Sequence, residues 1–503
     1  MKTFTLILIL FINVNLILAQ SYEFDKSFGD EGIVKVQCNS EFCVGYKIQL
    51  LDDGSFLLYS VYEGEETDSG FEIRKFDHNG NVNENFGDNG VFTAINSYTD
   101  FPLYHGQLSD NKIAVIDIDD NYENIRVRIL NEKGEIEKTL SINLFLGSSV
   151  SVIKCLYKEG YLYLAGVKNE QDELFILKTD LNGKPDSTYA ENGIFILKDN
   201  TFSVEFNDME FQNNNLIVYS SYYDTETYSN DDVIFRLKQN GNFDNDFGTL
   251  GYFKLKDTDG FGDLSVDSKD RIIFTPFYYD VIYRLDENGL PDINFDKDGK
   301  VELNEISILG NYFFHNINSK DEILLFGSLS NDEYDSFGIP SILKINENGK
   351  KDYTFGSYGI LLNSFDKLAV NYNGEILSNG DIITTGAYIE NPDNGNFSMF
   401  LSRLKPKTSA ENNLTTIQDL NIFPNPINSD KFTIQFPDRR DDDVIIRVID
   451  IMGKNIMKFK IPKLGQETNE LTIPLTDGIQ NGQYLIIVYD GLKQISKKII
   501  VSR

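Results

Sequence analysis

The feature that most constrains this chain is a stretch that keeps returning. Its clearest copy runs from Phe76 to Val91 (FDHNGNVNENFGDNGV), and the same words stand at Leu237 to Tyr252 (LKQNGNFDNDFGTLGY) and Ile345 to Ile360 (INENGKKDYTFGSYGI). Looser copies run from Thr179 to Ile194 and from Leu285 to Val301. The pattern is a strand end, then x-N-G, a short polar step, F-G-x-x-G, and a new apolar run. The first glycines, Gly80, Gly134, Gly183, Gly241, Gly289 and Gly349, lie 54, 49, 58, 48 and 60 residues apart. A period near 50 without a helical pattern fits one propeller blade of four strands.

A second word falls between the copies: a polar turn followed by a run rich in Ile, Leu, Val, Phe and Tyr. It occurs at 52–60, 109–116, 158–166, 212–221, 268–277, 319–328 and 378–388, seven times. A third strand follows in most units, as at 71–76, 173–178, 232–238 and 341–345. The reading is an all-β chain with a seven-bladed β-propeller. Asn-Gly pairs such as Asn79-Gly80 and Asn288-Gly289 predict tight type I′ hairpins, in which both residues take positive φ. The F-G-x-x-G word predicts an aromatic between blades and glycine where the backbone turns sharply.

The two ends of the chain complement each other. Residues 24–34 (FDKSFGDEGIV) are the tail of the motif without its head, and the last unit stops after a third strand at 397–404. The N-terminal strand is therefore expected to complete the last blade and leave no large unpaired edge. Residues 1–19 read as a secretory signal peptide: Met1-Lys2 is a basic start, Phe4 to Leu18 an apolar stretch, and Ala19 precedes the cut. The stretch is too short and too interrupted, by Asn13 and Asn15, to span a bilayer well, and no other segment resembles a membrane span. The propeller is assigned to 21–405, a polar linker to 406–416, and a separate small β domain to 417–503. Export permits disulfides. Cys38 and Cys43 are close enough to bridge, with Cys155 left over, and three buried thiols are the equal alternative.

Seven strand-like runs in the last 87 residues suggest an immunoglobulin-like β-sandwich. Charge supports the boundary. From residue 415 on, 12 basic face 11 acidic side chains, whereas the whole chain has 46 against 78. Ile422-Phe423-Pro424-Asn425-Pro426 opens this region, with Pro424 and Pro426 expected to hold an extended entry to its first strand. Val448 to Lys454 (VIDIMGK) follows, with Gly453 suited to a hairpin turn. Gly482-Gln483-Tyr484-Leu485 and Lys497-Lys498-Ile499-Ile500-Val501 complete the set. In this order and placement the words resemble the type A C-terminal sorting domain of the type IX secretion system of Bacteroidetes. The resemblance implies a route through the periplasm and recognition of the tail by outer-membrane export machinery. The cargo would then be released or held at the cell surface. The remaining repeats look like the delta-60 β-propeller repeat family, a name that carries no agreed activity.

No catalytic motif stands out. His78, His105 and His315 lie in different repeats without ligand spacing, and G-x-S-x-G, H-E-x-x-H and phosphate loops are absent. The densest carboxylate cluster, Asp257, Asp259 and Asp263 around Gly260 and Gly262, precedes an innermost strand, and hard oxygens at that spacing could hold calcium. No other cofactor is indicated. A formal net charge of −32 weighs against nucleic acid and anionic membranes as partners. The expected function is a secreted or cell-surface, non-enzymatic binding propeller with an extracellular ligand of unknown identity. The alternative is an extracellular hydrolase or lyase using carboxylates at the propeller mouth. Three convergent carboxylates or a His-carboxylate pair in the channel would favour the enzyme, exposed aromatics on one face the binder.

Overall fold

The computed structural model describes residues 22–36, 42–63, 70–95, 104–108, 111–118, 124–143, 150–168, 173–199, 202–224, 227, 229–258, 262–276, 281–303, 310–329, 338–356, 359–363, 367–391, 396–407, 421–435, 444–450, 455–461, 470–475, 479–490 and 493–503. The stretch expected to be a signal peptide and most of the expected linker lie outside them. Among the described residues no helix is long and apolar enough to cross a membrane.

The repeat region builds antiparallel sheets, each made of strands that are consecutive in sequence except the last, which also takes in Tyr22–Phe24 and Ile33–Val36. Their first strands are Phe42–Leu50, Tyr104–Gln107, Val150–Lys158, Ser203–Gln212, Gly262–Val266, Gly310–Ile317 and Ala369–Ile376, and these name sheets 1 to 7. First strands of neighbouring sheets stand side by side from sheet 2 through to sheet 7, and that of sheet 7 lies beside that of sheet 1. The runs expected behind polar turns are the second strands, such as Ile272–Pro276 and Ile323–Leu329, every residue of which is buried. Buried on both faces, they read as continuous apolar runs. This radial repetition of small sheets is a β-propeller arrangement.

The repeat proves to be the joint between sheets. A base on the third strand pairs with an acid eight residues on and lies over an aromatic ring eleven residues on. Arg236 meets Asp244 at 2.8 Å and its guanidinium sits 5.0 Å from the Phe247 ring centre. Arg284 does the same with Asp292 (2.8 Å) and Phe295 (4.4 Å). Lys178 pairs with Asp186 and Tyr189, and Lys344 with Asp352 and Phe355. The residue after Tyr189, Phe247 and Phe295 reaches the N-G turn of the next sheet: Ala190 N–H donates to Asn240 O, Gly248 N–H to Asn288 O and Asp296 N–H to Asn348 O. The turn glycine then packs on that ring. A Cβ on Gly289 would stand 2.5 Å from Phe247, so its space as well as its φ of +85° requires glycine.

The turn itself differs from the expected type I′ hairpin. Gly80, Gly183, Gly241, Gly289 and Gly349 have positive φ, while the asparagines before them do not. An acceptor at the turn's start explains this. Asp77 Oδ1 accepts the N–H groups of Asn79 and Asn81, and Asp286 Oδ1 those of Asn288 and Leu290. These bonds favour a longer turn with one left-handed residue, the glycine.

The two ends of the repeat region meet in sheet 7. Tyr22–Phe24 and Ile33–Val36 both pair antiparallel with Asn396–Pro406, in the registers Phe24 with Leu404 and Ile33 with Ser402. The joint is rebuilt from both termini: Arg403 pairs with Asp25 at 2.5 Å and lies 5.0 Å from the Phe28 ring centre. Gly29 N–H donates to Asn79 O, and Gly80 packs on Phe28. The orphan half-motif is thus the missing half of the last repeat.

These joints carry a pH signature. Burial opposes the charge of Asp25, Asp244, Asp292 and Asp352, but hydrogen bonds and the facing cation outweigh it and hold each below its ordinary value. At Asp186 the hydrogen bond from Lys178 leads and brings the carboxyl to about 2. A depressed carboxyl stabilises the fold above its ordinary value and loses that effect as pH falls through the folded one. Denaturant unfolding is therefore expected to show stability that falls steeply between about pH 4 and pH 2. A flat profile across that window overturns this account of the joints.

The tail forms a three-stranded sheet (Asn421–Phe423, Lys431–Gln435, Glu470–Pro474) and a four-stranded one (Val444–Asp450, Asn455–Ile461, Gly482–Asp490, Lys493–Val501). Their facing sides enclose a core that includes Phe432, Ile434, Ile446, Val448, Ile486 and Ile499. Pro424 and Pro426 follow the first strand instead of leading into it: two cis bonds, Phe423-Pro424 and Asn425-Pro426, turn the chain there toward the second strand. Cys43 is disulfide-bonded and Cys155 is a free buried thiol, which burial pushes up to about 12. Cys38 lies outside the described residues.

Candidate functional site at the inner strands and the tail

The first strands are the richest in chemistry, and a local irregularity arranges them. Five carry a β-bulge at matching places: between Gly45 and Lys47, Val152 and Lys154, Phe206 and Asp208, Tyr312 and Phe314, and Asn371 and Asn373. The extra residue bends each strand and re-aims the side chains that follow. Those side chains reach across to the next sheet. Lys154 Nζ lies 2.6 Å from Asp208 Oδ1, joining sheets 3 and 4. Asp208 Oδ2 accepts Leu264 N–H (3.0 Å), joining 4 and 5, and Asp263 Oδ2 accepts His315 N–H (3.3 Å), joining 5 and 6. Asn316 Nδ2 donates to Gly374 O (3.0 Å), joining 6 and 7. Asn373 Oδ1 accepts Ile48 N–H (3.2 Å), joining 7 and 1.

Electrostatics follow from this crowding. Burial pushes the Asp208 carboxyl up to about 6, with Lys154 pulling it down and Asp263 pushing it further up. Burial opposes the charge of Lys154, but Asp208 and Glu210 outweigh it and raise the lysine. Lys47 lies on the first strand of sheet 1, exposed but with dense protein around it. That enclosure and the Lys154 charge lower it, against the pull of Asp208, Glu210 and Asp263. Burial raises Glu375, which Asn316 and Lys47 partly offset.

His315 and Asp263 form the His-carboxylate pair named above, with Nδ1 3.2 Å from Asp263 Oδ2. Thr275 Oγ1 stands 3.2 Å from the same nitrogen. The ring is buried, which lowers its pKa against the pull of Asp263, and among the described residues its enclosed Nε2 has no hydrogen-bond partner. In this arrangement the imidazole has no face open to a substrate. The pair fastens sheet 5 to sheet 6, and both ring-side partners are spent there.

The expected calcium ligands are divided. Asp263 is on the inner strand of sheet 5, with one oxygen engaged by His315. Asp257 is the penultimate residue of the preceding strand, Tyr252–Thr258, and Asp259 lies outside the described residues. Among the described residues no group of three His, Cys, Asp or Glu side chains is placed to hold a metal. Of the histidines, His78 is a turn residue whose carbonyl accepts from Arg403, and His105 is on the first strand of sheet 2. Lys154, Asp208 and Asn373 were missed from sequence. The only signal for them is a charged or amide residue inside a strand with apolar flanks, which the fold alone interprets.

The tail motif converges better. Asn425 clamps the last strand from the side: its Nδ2 donates to Lys498 O (3.1 Å) and its Oδ1 accepts Ile500 N–H (2.9 Å). Tyr484 buries its ring in the tail core while its hydroxyl donates to Gln480 O (2.8 Å). Gly482 pairs with Val501 across the last hairpin. Lys497 and Lys498 stand on the terminal strand, Lys498 exposed. Gly453 lies outside the described residues.

Residues 421–502 match the family model of the secretion system C-terminal sorting domain. A search of curated proteins finds no match to this sequence. Solved structures with a similar course of chain include the β-propeller domain of the Trilobed protease from Pyrococcus furiosus, with 10% identity, 75% of this chain and 99% of that chain covered, and a TM-score of 0.41. A protein of unknown function from Bacteroides caccae has 10% identity, 60% and 97% coverage and a TM-score of 0.33. A neuraminidase-like protein of A/little yellow-shouldered bat/Guatemala/060/2010 has 10% identity, 74% and 98% coverage and a TM-score of 0.32. No activity passes to this chain from likenesses at that level.

Proposed function

We propose that this chain is an exported binding protein. An N-terminal signal delivers it to the periplasm, and a closed seven-bladed propeller is the passenger. The immunoglobulin-like tail at 417–503 is the address read by type IX export machinery at the outer membrane. The match of 421–502 to a sorting domain carries the export reading, supported by the way Asn425 ties the opening word of the motif to its closing strand. For the propeller, binding is favoured over catalysis because the inner-strand acids and bases are engaged with one another and with neighbouring backbone. Groups fixed this way shape a rigid ring and leave loops at its mouth to meet an extracellular ligand. The alternative, a hydrolase or lyase, draws on the His315–Asp263 pair and needs Nε2 to open toward a substrate.

The test is localisation in the native organism, with mass spectrometry of both mature termini. The intact chain is expected outside the cell, beginning near Gln20, while a chain lacking 417–503 accumulates in the periplasm. If both forms reach the same compartment, the tail is an ordinary module and the export reading falls.

A further inference from the structure

The tail has a second apolar face. Strands Val444–Asp450 and Gly482–Asp490 alternate sides, so Ile446, Val448, Ile486 and Val488 fill the tail core while Ile449, Leu485 and Ile487 point out of it. Those three are only 6% exposed. What covers them is the propeller: they share one apolar cluster with Phe295, Val301, Leu343 and Ile360 of sheets 5 and 6. The same contact brings Lys351, in the turn before the outer strand of sheet 6, within electrostatic reach of Arg447 at the centre of the tail face. Arg447 is 6% exposed, and among the described residues its Nε finds no hydrogen-bond partner.

We propose that Ile449, Leu485 and Ile487 form a docking face whose resident partner is the outer edge of sheet 6 in the same chain. The facing cations Lys351 and Arg447 make this dock separable without unfolding either unit. Two features set it apart from a fixed core. Among the described residues, the apolar contact from the tail side rests on three, beside fifteen in the tail's own buried core. It also encloses two groups of like charge, and burial and their repulsion both oppose the charge of Lys351 there. A tail delivered to an export machine has to present a surface, and this face is apolar, central and covered until the tail lifts off. The docking stands independently of the export reading, and its test does not use export.

The lysine gives the dock a pH dependence. Burial, then Arg447, lowers Lys351 to about 7 from its ordinary value near 10. Among the described residues, groups facing this turn include Tyr353, whose ring centre is 5.8 Å from Lys351 Nζ, and Asp450 of the tail, which acts on Tyr353. Asp352 is engaged with Lys344. The docked state therefore holds one proton fewer across this window. Raising pH from about 7 to about 10 tightens docking up to about tenfold per unit; below pH 7 the lysine is charged in both states and the effect levels off.

Small-angle X-ray scattering of the full-length chain reads docking as a compact particle. Leu485→Asp with Ile487→Asp is expected to extend it at every pH. Lys351→Met is expected to keep it compact at pH 6 and to abolish the dependence on pH. An unchanged profile for the double variant overturns the docking face. Equal pH profiles for wild type and Lys351→Met overturn the role of the cation pair. If the aspartates unfold the tail, seen as loss of its strand signal, the comparison of wild type with Lys351→Met decides alone: a particle extended at every pH in both overturns the proposal.

Discussion

A chain lacking residues 21–37 is expected to lose most of its thermal stability, with the repeat region melting well below the intact protein. The deletion removes two strands from sheet 7 and leaves the Asn396–Pro406 edge unpaired. It also removes Asp25 and Phe28, so Arg403 keeps a charge with neither its carboxylate nor its ring. Finally it strips Gly80 and the first turn of sheet 1 of the ring they pack against. Phe28 alone is fully buried, and truncating a buried phenylalanine to alanine costs about 3–5 kcal/mol. For a unit of this size that alone is on the order of 10 °C. The deletion should exceed Phe28→Ala, and Phe28→Ala should exceed Lys26→Ala, whose side chain is exposed. The check is a thermal melt of the three variants beside the intact chain. Equal melting temperatures for the deletion and the intact chain would show that the termini do not hold the ring together, and the closed-ring proposal would fall with them.

The repeat was legible because its physics is local. Gly289 and Phe247 recur at fixed spacing, since a turn glycine and an aromatic are the same solution to the same joint each time. The second strands were legible for a related reason: runs such as Ile323–Leu329 are buried on both faces and carry no alternation to confuse. Even the pairing of the two chain ends could be read, from a motif tail at one end and a missing one at the other. The turn type differs from the one an Asn-Gly pair alone predicts, because an aspartate stands before it. Asp286 competes for the turn's N–H groups and leaves only the glycine left-handed.

The inner strands were not legible. Ser203–Gln212 reads SVEFNDMEFQ, a mixed pattern that suggests a loop or a site as readily as a strand. Asp208 stands there because Leu264 N–H and Lys154, distant in sequence, need a partner across the gap between sheets. Such a residue is chosen by its neighbours in space, so neither period nor propensity exposes it. His315 illustrates the same limit. Sequence isolates it from every acid, and the fold sets it against Asp263 while closing its second nitrogen from solvent.

Asp292→Ala is expected to be among the most damaging single substitutions in the propeller, because it leaves Arg284 charged, 1% exposed and unpaired. Removing one partner of a buried pair costs about 3–5 kcal/mol, more than the pair contributes against an apolar replacement. The surroundings add to the cost. Arg284 Nε donates to Asp292 Oδ2 at 2.9 Å, and its Nη1 donates to Glu347 O of the next sheet, so the guanidinium joins sheets 5 and 6. Arg271, itself paired with Asp267 at 2.6 Å, already pushes on Arg284 with like charge, and loss of Asp292 leaves that repulsion less opposed. Arg284→Met with Asp292→Ala together should be less destabilising than Asp292→Ala alone, since no unpaired charge remains and methionine can still cover Phe295. Denaturant unfolding of the two singles and the double closes the cycle. A double variant whose loss equals the sum of the singles would mean that the two side chains act independently. The repeated base-acid-aromatic unit would then be a packing motif without an electrostatic part.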